Sequence, residues 1–280
     1  MKKIGFVDYY ISEWHANNYP AWFKEANENL GLDYEVAYFW AEKDISPVDN
    51  VSSKEWEEKM GIKQVDTIEE LCKKSDVIVV LAPSNPEKHL EYAEKVLPYA
   101  KRTYIDKTFA PDLETTLKIF DIAEEYGTPF FTTSALRYAE ELKEFTDVKN
   151  LVITGGGRLF EEYLIHNAEM AVALLKDRIV KVKTEKMGKQ YFCRAVTEKG
   201  SEIGIVFSQG LGYSITAENS KGELLHKDVT SSFFLNLISD MLKFFEDGKT
   251  PFDTKETIEV MRLRAGLIAA ADKDGEWLEV

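Results

Sequence analysis

Residues 76–89, Asp-Val-Ile-Val-Val-Leu-Ala-Pro-Ser-Asn-Pro-Glu-Lys-His, decide the fold predicted for this chain. Val77–Leu81 is an unbroken apolar run, which is typical of a parallel strand covered on both faces. Pro83 ends the run, and residues 87–97 follow with apolar side chains at helical spacing. A buried strand, a turn and a crossover helix in this order indicate an α/β unit with a parallel sheet.

The same alternation continues on both sides of this unit. Strand-like segments cover 4–7, 34–40, 65, 102–105 and 129–132, and helical segments cover 19–29, 53–60, 67–74 and 112–126. Strands that alternate with crossover helices predict a doubly wound sheet. We therefore predict an α/β Rossmann-like N-terminal domain at residues 1–133.

The pattern changes after Arg137. Residues 151–154 are strand-like and 160–176 are helical, alternating strands follow at 180–186, 191–197, 202–209 and 213–219, and helices are predicted at 233–246 and 254–271. Glycine-containing turns join the strands, as in antiparallel sheets with one solvated face. This predicts an α+β C-terminal domain at 134–280 with a mostly antiparallel open sheet, whose C-terminal helix can pack back on the first domain.

Composition excludes several classes of partner. The chain carries 35 Lys and Arg against 49 Asp and Glu, a formal net charge of -14. Such a surface repels phosphate backbones, so no nucleic-acid partner is expected. No apolar run approaches the length of a membrane span, and Met1 leads directly into a strand without a targeting segment. Cys72 and Cys193 lie far apart and predict reduced thiols, so we expect a cytoplasmic protein without membrane contact.

The turn after the first strand lacks the usual dinucleotide fingerprint. That fingerprint, Gly-x-Gly-x-x-Gly, lets the backbone approach a pyrophosphate at a helix N-terminus. Here residues 5–12 read Gly-Phe-Val-Asp-Tyr-Tyr-Ile-Ser, with one glycine, Gly5, and an acid at Asp8. Two interpretations stay open: the turn binds the cofactor differently, or no dinucleotide binds. The aromatic cluster at 14–22 is predicted as core or as a lid.

Two segments follow strands at the sheet edge where ligands bind in α/β folds. Pro83, Ser84, Asn85 and His89 come after the strand at 77–81. They also fit a plain strand-to-helix turn with a serine or asparagine cap. Asp106 and Lys107 follow the strand at 102–105. A lysine there can donate to a substrate oxygen, or it can be an ordinary solvated side chain.

An acid–histidine pattern lies on the helix predicted at 160–176. Glu162 and His166 are four residues apart and share a helical face, and Glu169 lies close to the same stripe. A carboxylate beside a histidine raises the pKa of the ring and fixes its tautomer, which suits proton transfer. The alternatives are a surface ion pair and a metal site. No second histidine stands at ligand spacing, so no metal is predicted.

In their order and spacing, these pieces resemble the glucose–fructose oxidoreductase and inositol dehydrogenase family, Gfo/Idh/MocA. The first matching motifs are Pro83, Asn85 and His89, followed by Asp106-Lys107-Thr108, where the family has Glu-Lys-Pro. The arginine-containing segment 134–138 and Gly155-Gly156-Gly157 come next. Glu162-x-x-x-His166-x-x-Glu169 then stands where the family has Asp-x-x-x-His-x-x-Asp, and residues 244–251 precede the last helix. The resemblance covers nearly the whole chain. It departs at the missing glycine loop, at the two aspartate-to-glutamate changes and at the lost proline.

The resemblance implies roles for these residues in a cleft between the domains. It implies Lys107 as a hydrogen-bond donor or acid, His166 as the base and Glu162 as its orienting partner. Substrate-binding residues would be Arg137, Tyr138 and Glu169. Cofactor-binding residues would be Gly5, Asp8, Tyr9, Glu42, Lys43, Pro83, Ser84, Asn85, His89 and Asp106.

Taken together, the sequence predicts an NAD(P)-dependent oxidoreductase for a secondary alcohol or ketone of a sugar, polyol or similar small molecule. Nicotinamide is required because no side chain accepts a hydride. Glu42 can hold ribose hydroxyls and Lys43 a 2′-phosphate, and NAD is preferred over NADP. The rivals are a binding or regulatory protein without hydride chemistry, and a metal-assisted lyase or isomerase. A homodimer or homotetramer through the C-terminal sheet is also expected.

Overall fold

A computed structural model describes residues 1–273 and 275–280. Its strands are β1 (Lys2–Tyr10), β2 (Tyr34–Lys43), β3 (Lys63–Gln64), β4 (Val77–Val80), β5 (Thr103–Ile105), β6 (Phe130–Phe131), β7 (Val148–Gly155), β8 (Ile179–Met187), β9 (Gln190–Thr197), β10 (Glu202–Phe207), β11 (Ser214–Asn219), β12 (Leu224–Asp228) and β13 (Leu278–Glu279). Its helices are α1 (Trp14–Leu30), α2 (Ser53–Met60), α3 (Ile68–Lys74), α4 (His89–Val96), α5 (Leu113–Tyr126), α6 (Phe160–Leu175), α7 (Phe233–Asp247) and α8 (Lys255–Ala270).

The chain forms two compact units. The first comprises Met1–Thr133 and Phe234–Phe252, and the second comprises Ser134–Phe233 and Asp253–Val280. The sequence placed everything after residue 133 in the second domain, with the last helix able to pack back. In the structure the segment that clusters with the first unit contains α7, whereas α8 clusters with the second.

The predicted fold class is confirmed in both units. The first sheet has six strands in the order β3-β2-β1-β4-β5-β6, and all its pairings are parallel. The second has seven strands in the order β12-β11-β7-β10-β9-β8-β13. β7 and β10 pair in parallel there, and the other pairings among the described residues are antiparallel.

Strand β1 runs further than its apolar residues predicted. It pairs with β2 as far as Tyr10 opposite Lys43, three residues beyond the predicted end at Val7. Helix α1 starts at Trp14, five residues earlier than predicted. Only three residues, 11–13, therefore connect β1 to α1, and all three are buried. This short turn replaces the glycine-rich loop.

The first unit completes its core with α7. Phe244 packs against Phe131 of β6, with ring centroids 5.0 Å apart. The Arg102 guanidinium donates hydrogen bonds to the carbonyl oxygens of Phe245 and Glu246 at 2.6 and 2.8 Å. These contacts explain why a helix so late in the chain belongs to the Rossmann-like unit.

No helix among residues 1–273 and 275–280 is both long enough and apolar enough to span a bilayer.

Candidate functional site

The N-terminus of α1 is capped by a side chain that the sequence analysis missed. The Glu13 carboxylate accepts hydrogen bonds from the backbone N–H groups of His15, at 2.8 Å, and Ala16. It also lies 3.0 Å from His15 Nδ1. Glu13 is 6% exposed. The N–H groups that bind an anion at this end of a helix are thus bonded to a carboxylate of the chain itself.

Further acids are buried beside this cap. Asp106 accepts a hydrogen bond from Tyr104 Oη at 3.0 Å, and its second oxygen lies 3.6 Å from His15 Nε2. Asp8 accepts from the N–H groups of Tyr9 and Ala82 at 2.7 and 3.0 Å. Burial raises the pKa of Asp8 well above its ordinary value, and the charges of Glu13 and Asp106 raise it further. The carboxyl edge of β1 is therefore acidic and buried.

The predicted ribose ligand, Glu42, lies at the end of β2 and already has partners. Its carboxylate accepts from Lys88 Nζ and Tyr92 Oη, both at 2.9 Å. Lys88 and Lys43 also stand over the ring of Tyr9, at 5.5 and 5.7 Å from its centroid. The structure thus brings Tyr9, Glu42 and Lys43 together at the ends of β1 and β2.

Two of the other predicted cofactor residues, Gly5 and His89, make contacts within the fold. Gly5 lies inside β1, where an added Cβ would meet Leu71 and Ser75, so its role in the structure is packing. His89 is fully buried, with Nδ1 2.9 Å from the Phe109 carbonyl oxygen and Nε2 2.6 Å from that of Leu81. Burial lowers the pKa of His89. Both residues thus contribute to packing and hydrogen bonding within the first unit.

The turn after β4 lies at the position predicted from the sequence, around Pro83. Pro83 is buried and its carbonyl oxygen accepts from Lys107 Nζ at 3.4 Å. Asn85 donates to Glu87 at 2.9 Å, and Ser84 is exposed. Lys107 is therefore half-buried at the carboxyl edge of the first sheet, next to the predicted cofactor turn.

In the second unit, His166 is the centre of the candidate site. Its Nδ1 lies 2.6 Å from Ser134 Oγ, and the same oxygen accepts from the Leu136 N–H at 3.2 Å. The rings of Tyr163 and Tyr213 flank the imidazole, with centroids 5.7 and 5.9 Å away. Ser134 and Tyr213 were missed because they are distant in sequence from the histidine.

The glycine triplet at 155–157 makes this arrangement possible. An added Cβ at Gly155 would meet the Tyr213 ring, and one at Gly157 would meet the Tyr163 ring. Tyr213 Oη donates to the Gly156 carbonyl oxygen at 3.1 Å. The triplet therefore lets two tyrosines close around the end of β7, beside the histidine.

Two acids on α6, Glu162 and Glu169, are each paired with an arginine. Glu162 pairs with Arg158 at 2.8 Å, one helical turn away. Glu169 is buried, and it accepts from Arg137 Nε at 2.5 Å and from the Ser134 N–H at 3.2 Å. Arg137 also bonds Glu256 of α8 at 2.7 Å.

This ion network includes two predicted substrate ligands, Arg137 and Glu169. The Arg137 side chain is 8% exposed and lies between two carboxylates. Burial alone would lower the pKa of Arg137, but Glu169 and Glu256 raise it above its ordinary value. Arg137 and Glu169 thus link α6, α8 and residues 134–138, where Tyr138 is half-buried. The role of all three in substrate binding stays a prediction.

Metal and thiol chemistry find no support in the described part of the chain. Among residues 1–273 and 275–280, no group of three or more His, Cys, Asp or Glu is arranged to hold a metal ion. Cys72 and Cys193 are buried and unpaired as disulfides. Burial raises the pKa of each thiol to about 12, so neither is a thiolate at neutral pH.

Comparison with known proteins establishes the fold. No protein-family model matches the chain, and no curated protein matches it. A probable dehydrogenase from Thermotoga maritima shares the fold with a TM-score of 0.81 at 14% identity, covering 99% of this chain and 98% of that one.

Two further solved structures are those of dehydrogenases with known substrates. A myo-inositol dehydrogenase from Lactobacillus casei, in complex with NAD(H) and myo-inositol, has a TM-score of 0.79 at 13% identity, covering 100% of this chain and 96% of that one. A UDP-N-acetylglucosamine 3-dehydrogenase from Acidithiobacillus ferrooxidans has a TM-score of 0.75 at 11% identity, covering 97% and 98%. This chain therefore has the two-part fold of inositol and sugar dehydrogenases.

Proposed function

We propose that this protein is an oxidoreductase that uses NAD or NADP to act on a secondary alcohol or ketone of a sugar, polyol or similar small molecule. The observation that carries the proposal is His166, held by Ser134 on a helix of a fold shared with dehydrogenases. The fold alone does not fix a reaction, whereas a positioned histidine supplies the proton transfer that alcohol oxidation requires.

The contacts of Ser134 are compatible with the His166 tautomer that a base requires. Its Oγ accepts from the Leu136 N–H and can accept a second hydrogen bond from a proton on His166 Nδ1. In that tautomer Nε2 carries the lone pair, so we assign Nε2 to taking the proton of the substrate hydroxyl. Ser134 is then a positioning residue for the base.

The dinucleotide would be held by the first unit and would supply the hydride acceptor, since no side chain can. Glu42 uses two of the four acceptor positions of its carboxylate, so ribose hydroxyls can still bind it. A carboxylate at this position favours NAD over NADP. The pyrophosphate fits at α1 only when Glu13 leaves the N–H groups of His15 and Ala16.

The first test is a variant of the proposed base. We expect His166→Ala to lower kcat by roughly 100-fold or more, because general-base catalysis contributes that much. NADH affinity, measured by fluorescence titration, should stay unchanged, since His166 lies in the second unit. Activity is followed as NAD(P)H absorbance over a panel of inositols, sugars and sugar nucleotides.

The control for this variant is His226→Ala. His226 is exposed on β12, where Nδ1 bonds Thr216 at 2.8 Å. Its loss should leave kcat unchanged. Equal turnover in the wild type and in His166→Ala would exclude His166 as the base.

The second candidate is a small-molecule-binding or regulatory protein of the same fold without hydride chemistry. The Glu13 cap and the buried Asp8 favour it, because both place acidic groups where a pyrophosphate is expected. Calorimetric titration with NADH and NADPH separates the two candidates. Binding of either supports the oxidoreductase, and no binding at millimolar concentration supports the second candidate.

A further inference from the structure

The N-terminus of helix α1 can bind an anion, and the Glu13 carboxylate of the same chain is bound there. The helix has 17 residues, and its N-terminal N–H groups point towards the Glu13 carboxylate. A helix N-terminus carries a partial positive charge and binds carboxylates and phosphates through the same N–H groups. Glu13 therefore bonds the groups that hold a dinucleotide's phosphates in Rossmann-like sheets.

The position of Glu13 is set by its surroundings. The turn from β1 leaves only residues 11–13 before the helix, and Ile11 and Ser12 are each at most 2% exposed. Ser12 Oγ donates to Asp49 at 2.7 Å, and its carbonyl oxygen accepts from Ser46 at 2.7 Å. Because the turn is short and anchored, its last side chain folds back onto the helix end.

The neighbouring charges make this end of α1 a poor place for a second anion. Asp8 and Asp106 are each 1% exposed, and one oxygen of each has no hydrogen-bond partner within the described residues. A phosphate arriving here would meet Glu13 and these two acids. A phosphate would be repelled by each of these groups that is ionised, and the repulsion is strong in a buried site.

We propose that Glu13 is an internal competitor of phosphate at the N-terminus of α1, and that a dinucleotide binds this protein only by displacing the Glu13 carboxylate. The identity of the ligand rests on the proposed function, whereas the competition by Glu13 rests on the capping contacts alone. The proposal assigns a regulatory role to one side chain of the turn that replaces the glycine loop.

The experiment measures binding of inorganic pyrophosphate and of NADH by calorimetry to the wild type and to Glu13→Gly. Glycine removes the carboxylate and is itself a good residue before a helix. Pyrophosphate should bind Glu13→Gly at least about tenfold more tightly than the wild type, because the vacated N–H groups become available. If NADH binds at all, its affinity should rise in the same variant.

Two matched controls isolate the cause. Glu13→Asp keeps a carboxylate in a residue type preferred as a helix cap, so its pyrophosphate affinity should stay near that of the wild type. Glu25→Ala removes the same charge from an exposed position on the same helix and should give no gain. Equal gains in Glu25→Ala and Glu13→Gly would overturn the proposal, because net charge alone would then explain them.

Folding is checked by circular dichroism and thermal unfolding. If Glu13→Gly does not fold, Glu13→Gln serves instead, since it keeps the volume and removes the charge; it should also gain pyrophosphate affinity. Unchanged pyrophosphate affinity in a folded Glu13→Gly or Glu13→Gln would overturn the proposal. A pyrophosphate gain without NADH binding in any variant would support the proposal and contradict the oxidoreductase function.

Discussion

Asp8 stands where the resemblance led us to expect glycine, and its contacts explain what it does there. One oxygen accepts from the Ala82 N–H at 3.0 Å, at the end of β4. Ala82 has a φ of 54°, in the left-handed region that residues other than glycine rarely adopt. Asp8 thus stabilises the turn that carries Pro83, which connects two of the predicted cofactor segments.

The raised pKa of Asp8 predicts a pH-dependent stability. The pKa in the folded state lies well above the ordinary value of 3.8, first because of burial and then because of Glu13. The stability contribution of the protonated group is complete below the unfolded pKa and is lost as pH rises through the folded pKa. Asp8→Asn keeps an oxygen that can accept from the Tyr9 and Ala82 N–H groups, and it removes the ionisable group.

We therefore expect Asp8→Asn to stabilise the protein near neutral pH, because the amide avoids the cost of ionising a buried carboxyl group. The gain should grow as the pH rises from the unfolded pKa of Asp8 through its raised folded pKa. Thermal unfolding of both proteins across this range measures it. Destabilisation at every pH would mean that the charged carboxylate is required by the turn.

At the scale of elements, the packing of α3 on β1 depends on a glycine. An added Cβ at Gly5 would lie 2.6 Å from Leu71 Cδ2 and would also meet Ser75 Oγ. Leu71 is fully buried in α3, so neither side chain can move away without disturbing the helix. Gly5 therefore sets how closely the helix approaches the central strand of the sheet.

Gly5→Ala should destabilise the protein by about 1–3 kcal/mol, the cost of overpacking a core. Urea unfolding followed by circular dichroism measures this. The control is Gly212→Ala, where an added Cβ meets nothing within 4 Å. The control should be neutral or slightly stabilising, since alanine restricts the unfolded chain. Equal stability of the two variants would show that β1 and α3 adjust without cost.

The elements that could be predicted from the sequence are those with a local pattern of apolar residues. Apolar runs and helical spacing located α6 and β4 within about two residues. The last residues of β1 and the whole of β12 were missed, because pairing with β2 and β11 makes them strands and neither is an apolar run. Such pairing is long-range and leaves no local pattern.

The same distinction applies to the candidate site. His166 was found because its spacing from Glu162 is a helical repeat, yet its bond to Ser134 joins residues 32 positions apart. Glu13 was missed because caps are sought among Ser, Thr, Asp and Asn. The sequence also does not show that Glu256 lies beside Arg137. Non-local contacts decide function here more than they decide fold.

At the scale of the whole molecule, the second sheet leaves one face open. Val152 of β7, Phe192 of β9 and Leu224 of β12 are 47%, 38% and 74% exposed. Val152 is paired with Gly204 and Thr216 on the neighbouring strands, so apolar and small residues lie together on this face. Exposed apolar patches of this kind mark association surfaces. We propose that a second copy of the chain covers it.

A charge at the middle of this face should therefore dissociate the assembly. Val152→Glu is expected to weaken self-association at least about tenfold, because a C2 interface buries the new charge twice. Light scattering coupled to size exclusion measures the mass over a dilution series. Leu117→Glu, on α5 of the first unit and 43% exposed, is the matched control and should leave the mass unchanged. A wild type that is monomeric at all concentrations would contradict the assignment, whereas a dimer unaffected by Val152→Glu would move the interface to another surface.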